Sequence, residues 1–153
     1  MDPASNTPIV LLKTEDGEKT LPIWIGLLEA TSIASALQEI KFDRPMTHDL
    51  FKNLTEELNL HIDRIDICDL KDNTFFAEIH FASQVKTFTM DARPSDAIAL
   101  ALRFKAPIFV EEEVIEKSIA GPTSEVVDES DEGKKWADYL ESLSPDDFGK
   151  YKV

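Results

Sequence analysis

In Asp91-Ala-Arg-Pro-Ser-Asp-Ala-Ile-Ala-Leu-Ala-Leu-Arg103, a predicted strand passes into a helix that must be buried. Pro94 suits the first helical position, where its missing N–H leaves no hydrogen bond unmade. Asp96 then falls in the first turn, where the unpaired N–H groups and the helix dipole favour a carboxylate. The residues that follow alternate alanine with isoleucine or leucine, which would also fit a strand. The proline start, the acidic first turn and the alanine content favour a core helix whose polar first turn opens onto the surface.

Strands are predicted on both sides of this helix. Asp16-Gly17 lies between two apolar runs and predicts a hairpin that pairs Val10 with Ile23 and Leu12 with Leu21. Three further strands are predicted at Leu60–Leu70, Thr74–Phe81 and Val85–Asp91, followed by a short strand at Ala106–Val110. A shift in the apolar phase predicts a bulge at Asp63-Arg64. The last strand follows a helix, so it is interpreted as a crossover strand parallel to Val85–Asp91.

The pairing of two of these strands predicts a polar face. A turn at Ser83-Gln84 would pair Ile79 with Phe88 and Ala77 with Met90, which puts the apolar residues of both strands on one side. The opposite side then carries Glu78, His80 and Asp91, with Asp91 diagonal to Glu78. Such a face is consistent with a cation or general-base site, but for Glu78 and His80 a solvated antiparallel face is favoured, and Asp91 is the stronger candidate.

Helices account for most of the remainder. They are predicted at Leu27–Ile40, at Thr47 to about Leu58 with Thr47 as the N-cap, and at Glu111–Lys117. The predicted fold is α+β: a mixed, mainly antiparallel sheet with helices packed against it, in a single domain. We predict a domain over residues 1–117, an acidic flexible linker over 118–133 and a C-terminal helical tail over 134–153.

Composition limits the classes of protein. The 153 residues fit one domain, and the single cysteine, Cys68, excludes an intramolecular disulfide and a cysteine-based zinc cluster. The sequence shows no signal peptide and no apolar run that could span a bilayer, so we expect a cytoplasmic protein without a membrane partner. The net charge of −14, more than half of it in residues 111–153, argues against binding nucleic acid. A phosphate about 4 Å from an unpaired carboxylate would be repelled by roughly 4 kcal/mol.

Four stretches in order nevertheless resemble one family. They are Asn6-Thr-Pro-Ile-Val-Leu-Leu12, Leu21-Pro-Ile-Trp-Ile-Gly26, Arg44-Pro-Met-Thr-His-Asp-Leu50 and the run from Asp91 to Arg103. Together they are similar to the signature of the bifunctional nuclease family, over roughly residues 2–116. The resemblance implies hydrolysis of both DNA and RNA. Relatives tend to have a strand before the position of Asp2, which leaves open whether an N-terminal piece is missing here.

The start of the buried helix is the first candidate site. Arg93 and Ser95 would bind a substrate phosphate at the helix N-terminus, with Arg103 further along the helix. Asp91 and Asp96 are candidate catalytic residues and candidate ligands of a Mg²⁺ or Mn²⁺ ion, which would lower the pKa of the attacking water. The structural alternative is that Asp96 is a cap and Arg93 its ion-pair partner.

His48 and Asp49 are the other candidate catalytic residues. They lie in the predicted first turn of the second helix, inside one of the family motifs. A histidine there can act as a general base if substrate lies close, or it can be a solvated surface residue. Glu29 is interpreted as a helix-terminal charge, with a metal ligand as the alternative.

On the family resemblance we therefore predict a divalent-cation-assisted nuclease that acts on DNA and RNA without strong sequence preference. The alternative is a non-catalytic binding or assembly module that recognises a small anion or a protein partner. The small residues of the first helix and the tail also predict a homodimer.

Overall fold

A computed structural model gives the fold, and it describes residues 7–119. The predicted tail at 134–153 and nearly all of the predicted linker lie outside the described residues. In chain order the elements are β1 (Ile9–Lys13), β2 (Thr20–Trp24), α1 (Leu27–Leu37), α2 (Thr47–Glu57), β3 (His61–Lys71), β4 (Thr74–Ala82), β5 (Thr87–Ala92), α3 (Pro94–Phe104), β6 (Ile108–Val110) and α4 (Glu112–Ile119). One sheet has the strand order β5-β4-β3-β6, and β1 pairs with β2 in a separate hairpin. The predicted α+β class is confirmed.

Helix α3 lies at the centre of the core. Ala97, Ala99 and Ala101 expose none of their surface, and Ile98 exposes 2%. The helix contacts β3 and β4 of the sheet as well as α1 and α2. Alanine on several sides of α3 lets these neighbours approach closely. The alternation of alanine with larger residues therefore reflects burial nearly all round the helix, and Pro94 occupies its first turn as predicted.

The β1–β2 hairpin has the predicted register. Val10 lies opposite Ile23, and Leu12 lies opposite Leu21. Gly17 adopts a φ of +74° in the turn, a conformation that costs glycine little because it has no Cβ. The predicted bulge in β3 is also confirmed, because the pairing with β4 shifts between Ile62 and Arg64.

The register predicted for β4 and β5 is wrong by two residues. Ser83 donates its N–H to the Lys86 carbonyl at 2.9 Å, so the turn is longer than a Ser83-Gln84 turn. Ile79 consequently lies opposite Met90, where the sequence predicted Phe88. A shift of two residues leaves every side chain on its predicted face, so the apolar pattern alone does not distinguish the two registers.

The chain after α3 crosses over the sheet and adds β6 beside β3. Ile108 of β6 pairs in parallel with Ile65 of β3. Strands β5 and β3 are both antiparallel to β4, so β6 does run parallel to β5, as predicted, but it is not its neighbour. With β6 on one side and β4 on the other, β3 is an internal strand of the sheet. Ile65 and Ile67 in its centre expose no surface.

Three helix ends differ from the prediction. Helix α1 ends at Leu37, because Glu39 takes a left-handed φ of 53° and the chain turns away before Ile40. The N-cap of α2 is Met46, whose N–H donates to the Asp49 carboxylate at 3.0 Å, so Thr47 is the first helical residue. Helix α4 continues to Ile119, beyond the predicted domain boundary. Within residues 7–119, no helix is long and apolar enough to cross a membrane.

Candidate active site

A cleft of about 350 Å³ lies where the first turns of α2 and α3 meet the middle of α1. Ser32 of α1, His48 of α2 and Asp96 of α3 all line it, together with Arg93, the N-cap of α3. Both helix starts follow from local sequence. The Asp49 carboxylate accepts a hydrogen bond from the N–H of Met46, the N-cap of α2, and Pro94 begins α3. The packing of α1 and α2 on α3 therefore brings three polar groups together that are distant in sequence.

These three groups form a continuous hydrogen-bonded chain. His48 Nε2 lies 3.0 Å from Asp96 Oδ1, and His48 Nδ1 lies 2.8 Å from Ser32 Oγ. An ionised carboxylate can only accept, so His48 donates from Nε2, and in the neutral imidazole Nδ1 then carries a lone pair. In that form the Ser32 hydroxyl donates to Nδ1. The His48 side chain is 17% exposed, so the imidazole is mostly shielded but remains open to the cleft.

Asp96 is held in its ionised form. Burial alone would raise the pKa of this carboxyl group, but hydrogen bonds from Arg93 and His48 outweigh it and lower the pKa below its ordinary value. Arg93 Nε donates to Asp96 Oδ2 at 2.8 Å, and its Nη1 lies 2.9 Å from Glu29 Oε1. Gly26 makes room for Glu29, because a Cβ at position 26 would overlap the Glu29 carboxylate. Glu29 is thus an ion-pair partner as well as a first-turn charge.

Arg103 and Asp49 brace the cleft from behind. Arg103 Nε donates to Asp49 Oδ1 at 2.6 Å, and Nη1 donates to the carbonyls of Ala99 at 2.9 Å and Ser32 at 3.3 Å. The side chain of Arg103 is only 8% exposed. Burial would raise the pKa of Asp49, but the hydrogen bonds from Arg103 and from Met46 N–H lower it overall. These contacts tie α1, α2 and α3 together, so Arg103 is occupied by structural partners and Asp49 by the α2 cap.

The structure gathers only some of the residues predicted to form the site. His48, Asp96 and Arg93 meet in the cleft, and Arg103 forms part of its wall. Ser95 is buried and lines a neighbouring cleft of about 260 Å³, which shares Arg93. Asp91 lies on the outer face of the sheet, directly opposite Glu78 rather than diagonal to it.

The outer face of the sheet forms a separate polar cluster. Asp66 of β3 lies opposite Glu78, and its carboxylate lies 2.7 Å from His80 Nε2 and 3.0 Å from Arg64 Nε. Burial raises the pKa of the nearby Cys68 thiol, with Glu78 adding to the effect, which disfavours the reactive thiolate. The cluster lies on the face of the sheet opposite the core residues Ile79 and Ala77.

The donors do not fit the predicted Mg²⁺ or Mn²⁺ site. Asp91 lies opposite Glu78 and does not line the cleft, and both oxygens of Asp96 are already engaged, one by His48 and one by Arg93. Within residues 7–119, no three His, Cys, Asp or Glu side chains are arranged to hold a metal ion. The chemistry that this cleft offers with its own groups is proton transfer at His48 and anion binding at Arg93.

Ser32 is the residue that the sequence did not reveal. In the sequence it is one of several small residues on α1, which indicate close packing. Its role depends on a contact with His48, which lies in a different helix. Ser35, another small residue of α1, donates its hydroxyl to the Ser32 carbonyl.

The structure is an α+β domain with a hydrogen-bonded Ser32–His48–Asp96 chain in a cleft between three helices. Comparison with known proteins identifies its family: the bifunctional nuclease domain matches residues 10–121, and the chain belongs to that family. The recognition made from the four motifs is therefore confirmed. All of the cleft residues named above lie within the matched region.

Individual relatives differ in how much of the chain they share. An uncharacterized protein of Mycobacterium tuberculosis is 40% identical over 149 residues, which covers 94% of this chain and 89% of that protein. Bifunctional nuclease 1 of Oryza sativa subsp. japonica is 30% identical over 105 residues, 66% of this chain and 32% of the plant protein. Bifunctional nuclease 1 of Arabidopsis thaliana is 29% identical, over 67% of this chain and 33% of its own length. The chain thus corresponds to about a third of each plant protein.

Proposed function

We propose that the protein is a nuclease that hydrolyses phosphodiester bonds of DNA and RNA, with the cleft between α1, α2 and α3 as its active site. The observation that carries the proposal is the chain from Asp96 through His48 to Ser32, because it fixes the tautomer and orientation of a histidine that opens into a cleft. A histidine held in this way can take a proton from the attacking group and return it to the leaving oxygen. Membership of the bifunctional nuclease domain family supports phosphodiesters as the substrate class.

Phosphate binding falls to Arg93 and the start of α2. The contacts of Arg93 within residues 7–119 use Nε and Nη1, which leaves Nη2 for a ligand, and its side chain is 65% exposed at the cleft. The first backbone N–H groups of α2, at Thr47 and His48, have no acceptor inside the helix and suit an anion. These donors offset the repulsion that Glu29 and Asp96 would exert on a phosphate.

Asp96 acts as a positioning residue in this proposal. Its lowered pKa keeps it ionised, so it holds the Nε2 proton of His48 and stabilises the imidazolium ion that forms during proton transfer. Arg103 and Asp49 keep the three helices in place and do not touch substrate. The proposal routes no step through Asp91 or Ser95, and it assigns no step to a divalent cation.

The test is cleavage of plasmid DNA and single-stranded RNA by purified wild-type protein and four variants. We expect His48→Ala and Asp96→Asn to reduce cleavage of both substrates by about 100-fold or more, because general-base catalysis contributes on that scale. The matched controls are His61→Ala and Asp63→Asn, which remove an exposed ion pair at the start of β3. We expect both controls to cleave like the wild type. Circular dichroism and thermal midpoints confirm that each variant is folded.

The same assay addresses the predicted cation and the alternative function. Reactions with Mg²⁺, with Mn²⁺ and with EDTA measure whether cleavage depends on a divalent cation. This dependence stays a prediction. Equal cleavage by His48→Ala and wild type would place the activity elsewhere or in a contaminant. A folded wild-type protein without activity would favour the binding module.

A further inference from the structure

We propose that Ser32 is the nucleophile of this site, and that hydrolysis proceeds through a covalent phosphoseryl intermediate. The inference rests on the proposed nuclease function and adds the identity of the attacking group. Its basis is geometric: Ser32 Oγ lies 2.8 Å from His48 Nδ1, and His48 Nε2 lies 3.0 Å from the Asp96 carboxylate. A nucleophile, a base and a group that orients the base within these distances are the arrangement by which hydrolases activate a serine.

The direction of the hydrogen bonds also fits activation. Because Asp96 is ionised, it accepts from Nε2, and in the neutral imidazole this leaves Nδ1 as the basic nitrogen. Ser32 Oγ is then the donor to a base, which is the polarity needed to remove its proton. A serine that accepted a hydrogen bond from the imidazole would not be activated.

Ser32 is positioned to meet substrate. Its side chain is half-buried and lines the cleft beside Arg93, whose guanidinium also reaches that space. Two other contacts hold its backbone, since the Ser32 carbonyl accepts hydrogen bonds from Arg103 and Ser35. Contacts thus hold both the backbone and the hydroxyl of Ser32 in place. This order reduces the entropy lost on reaching the transition state.

The reaction balances in two steps. In the first, the Ser32 Oγ–H bond breaks, Nδ1 of His48 takes the proton, and Oγ forms a bond to phosphorus. The bond from phosphorus to the leaving nucleoside oxygen breaks, and that oxygen takes the proton from Nδ1. In the second step, water gives a proton to Nδ1 and attacks phosphorus, the P–Oγ bond breaks, and Oγ regains the proton. The net reaction is a phosphodiester plus water giving a phosphomonoester and an alcohol.

A fluorophosphonate probe tests the nucleophile independently of any nuclease activity. Attack by Oγ on the probe expels fluoride and leaves a stable phosphonyl ester, whose mass and position are read by intact-mass and peptide mass spectrometry. We expect wild type to be labelled at Ser32, Ser32→Ala to lose that label, and His48→Ala to react at least 10-fold more slowly. Ser83→Ala, in the exposed β4–β5 turn, is the control and should label like wild type. Folded wild type with no label at Ser32 would overturn the proposal.

The stereochemistry of cleavage tests the intermediate itself. Wild type is given a phosphorothioate linkage of one configuration in ¹⁸O-labelled water. Two successive displacements, one by Ser32 and one by water, predict retention at phosphorus, whereas inversion means direct attack by water and overturns the proposal. If inversion is found while His48→Ala is inactive, the nuclease proposal stands and the inference fails. If Ser32 is labelled but no nucleic acid is cleaved, the serine centre stands and the nuclease proposal fails.

Discussion

At the scale of single residues, the sequence identified Asp96 and His48, one end and the middle of the hydrogen-bonded chain, but not Ser32 at its other end. Asp96 and His48 stood out because each follows a helix start, where a polar side chain has a recognisable function. Ser32 lies mid-helix among other small residues, where packing is the ordinary interpretation. What distinguishes it is a contact with another helix, and no local pattern encodes that contact. The buried state of Arg103 was hidden for the same reason, since burial depends on which helices surround it.

Replacing Asp49 by asparagine tests the brace behind the cleft. The change leaves the nearly buried Arg103 guanidinium without its anion, so we expect a loss of about 2 kcal/mol in the free energy of unfolding at pH 7. The pKa of Asp49 is lowered in the fold, so its stabilisation is fully present above the ordinary aspartate value of 3.8 and is lost as the pH falls through the lowered pKa. Urea denaturation at pH 7 and near pH 3 measures both effects.

The difference in the free energy of unfolding between wild type and Asp49→Asn should therefore be smaller near pH 3 than at pH 7. Asp63→Asn is the control, since it removes a carboxylate that is more than half exposed. A gap that stayed constant between the two pH values would mean that the Asp49 charge does not stabilise the fold.

At the scale of secondary-structure elements, the sequence predicted where helices and strands occur better than it predicted how the strands pair. The β1–β2 hairpin was recovered with its register because Asp16-Gly17 marks the turn. The β4–β5 pair was misaligned because Ser83-Gln84 is a weaker turn signal, and a slip of two residues preserves both faces of the sheet. The position of β6 beside β3 depends on the long crossover through α3, which neighbouring residues do not specify.

The corrected register makes a prediction about two carboxylates. Glu78 and Asp91 lie directly opposite each other and are both exposed, so they repel. Asp91→Lys should stabilise the fold by about 0.2–1 kcal/mol through an opposite-charge pair. Thermal or urea denaturation of this variant, of Glu78→Gln and of the double variant measures the coupling. We expect the gain to disappear in the Glu78→Gln background and to shrink in high salt. An unchanged gain in stability from Asp91→Lys in the Glu78→Gln background would contradict the direct pairing of Asp91 with Glu78.

At the scale of the whole molecule, the net charge alone is a poor guide to whether a phosphate can bind in the cleft. The net charge of −14 argues against nucleic acid, but in the cleft the acidic groups are paired with Arg93, Arg103 and His48. The overall charge therefore does not describe the local field that a phosphate would meet. The homodimer and the cytoplasmic location stay predictions. Leu50 and Leu54 of α2 and its C-cap Leu58 form an exposed leucine row.

Chemical rescue is the sharpest test of whether the His48 imidazole carries out proton transfer in phosphodiester hydrolysis. His48→Ala removes the imidazole and leaves space for a free one in the cleft between Ser32 and Asp96. The measurement is the rate of single-stranded RNA cleavage by this variant with increasing imidazole, with wild type as the control. We predict a saturable increase for His48→Ala and no increase for wild type. Cleavage by His48→Ala at the wild-type rate without imidazole would contradict the account.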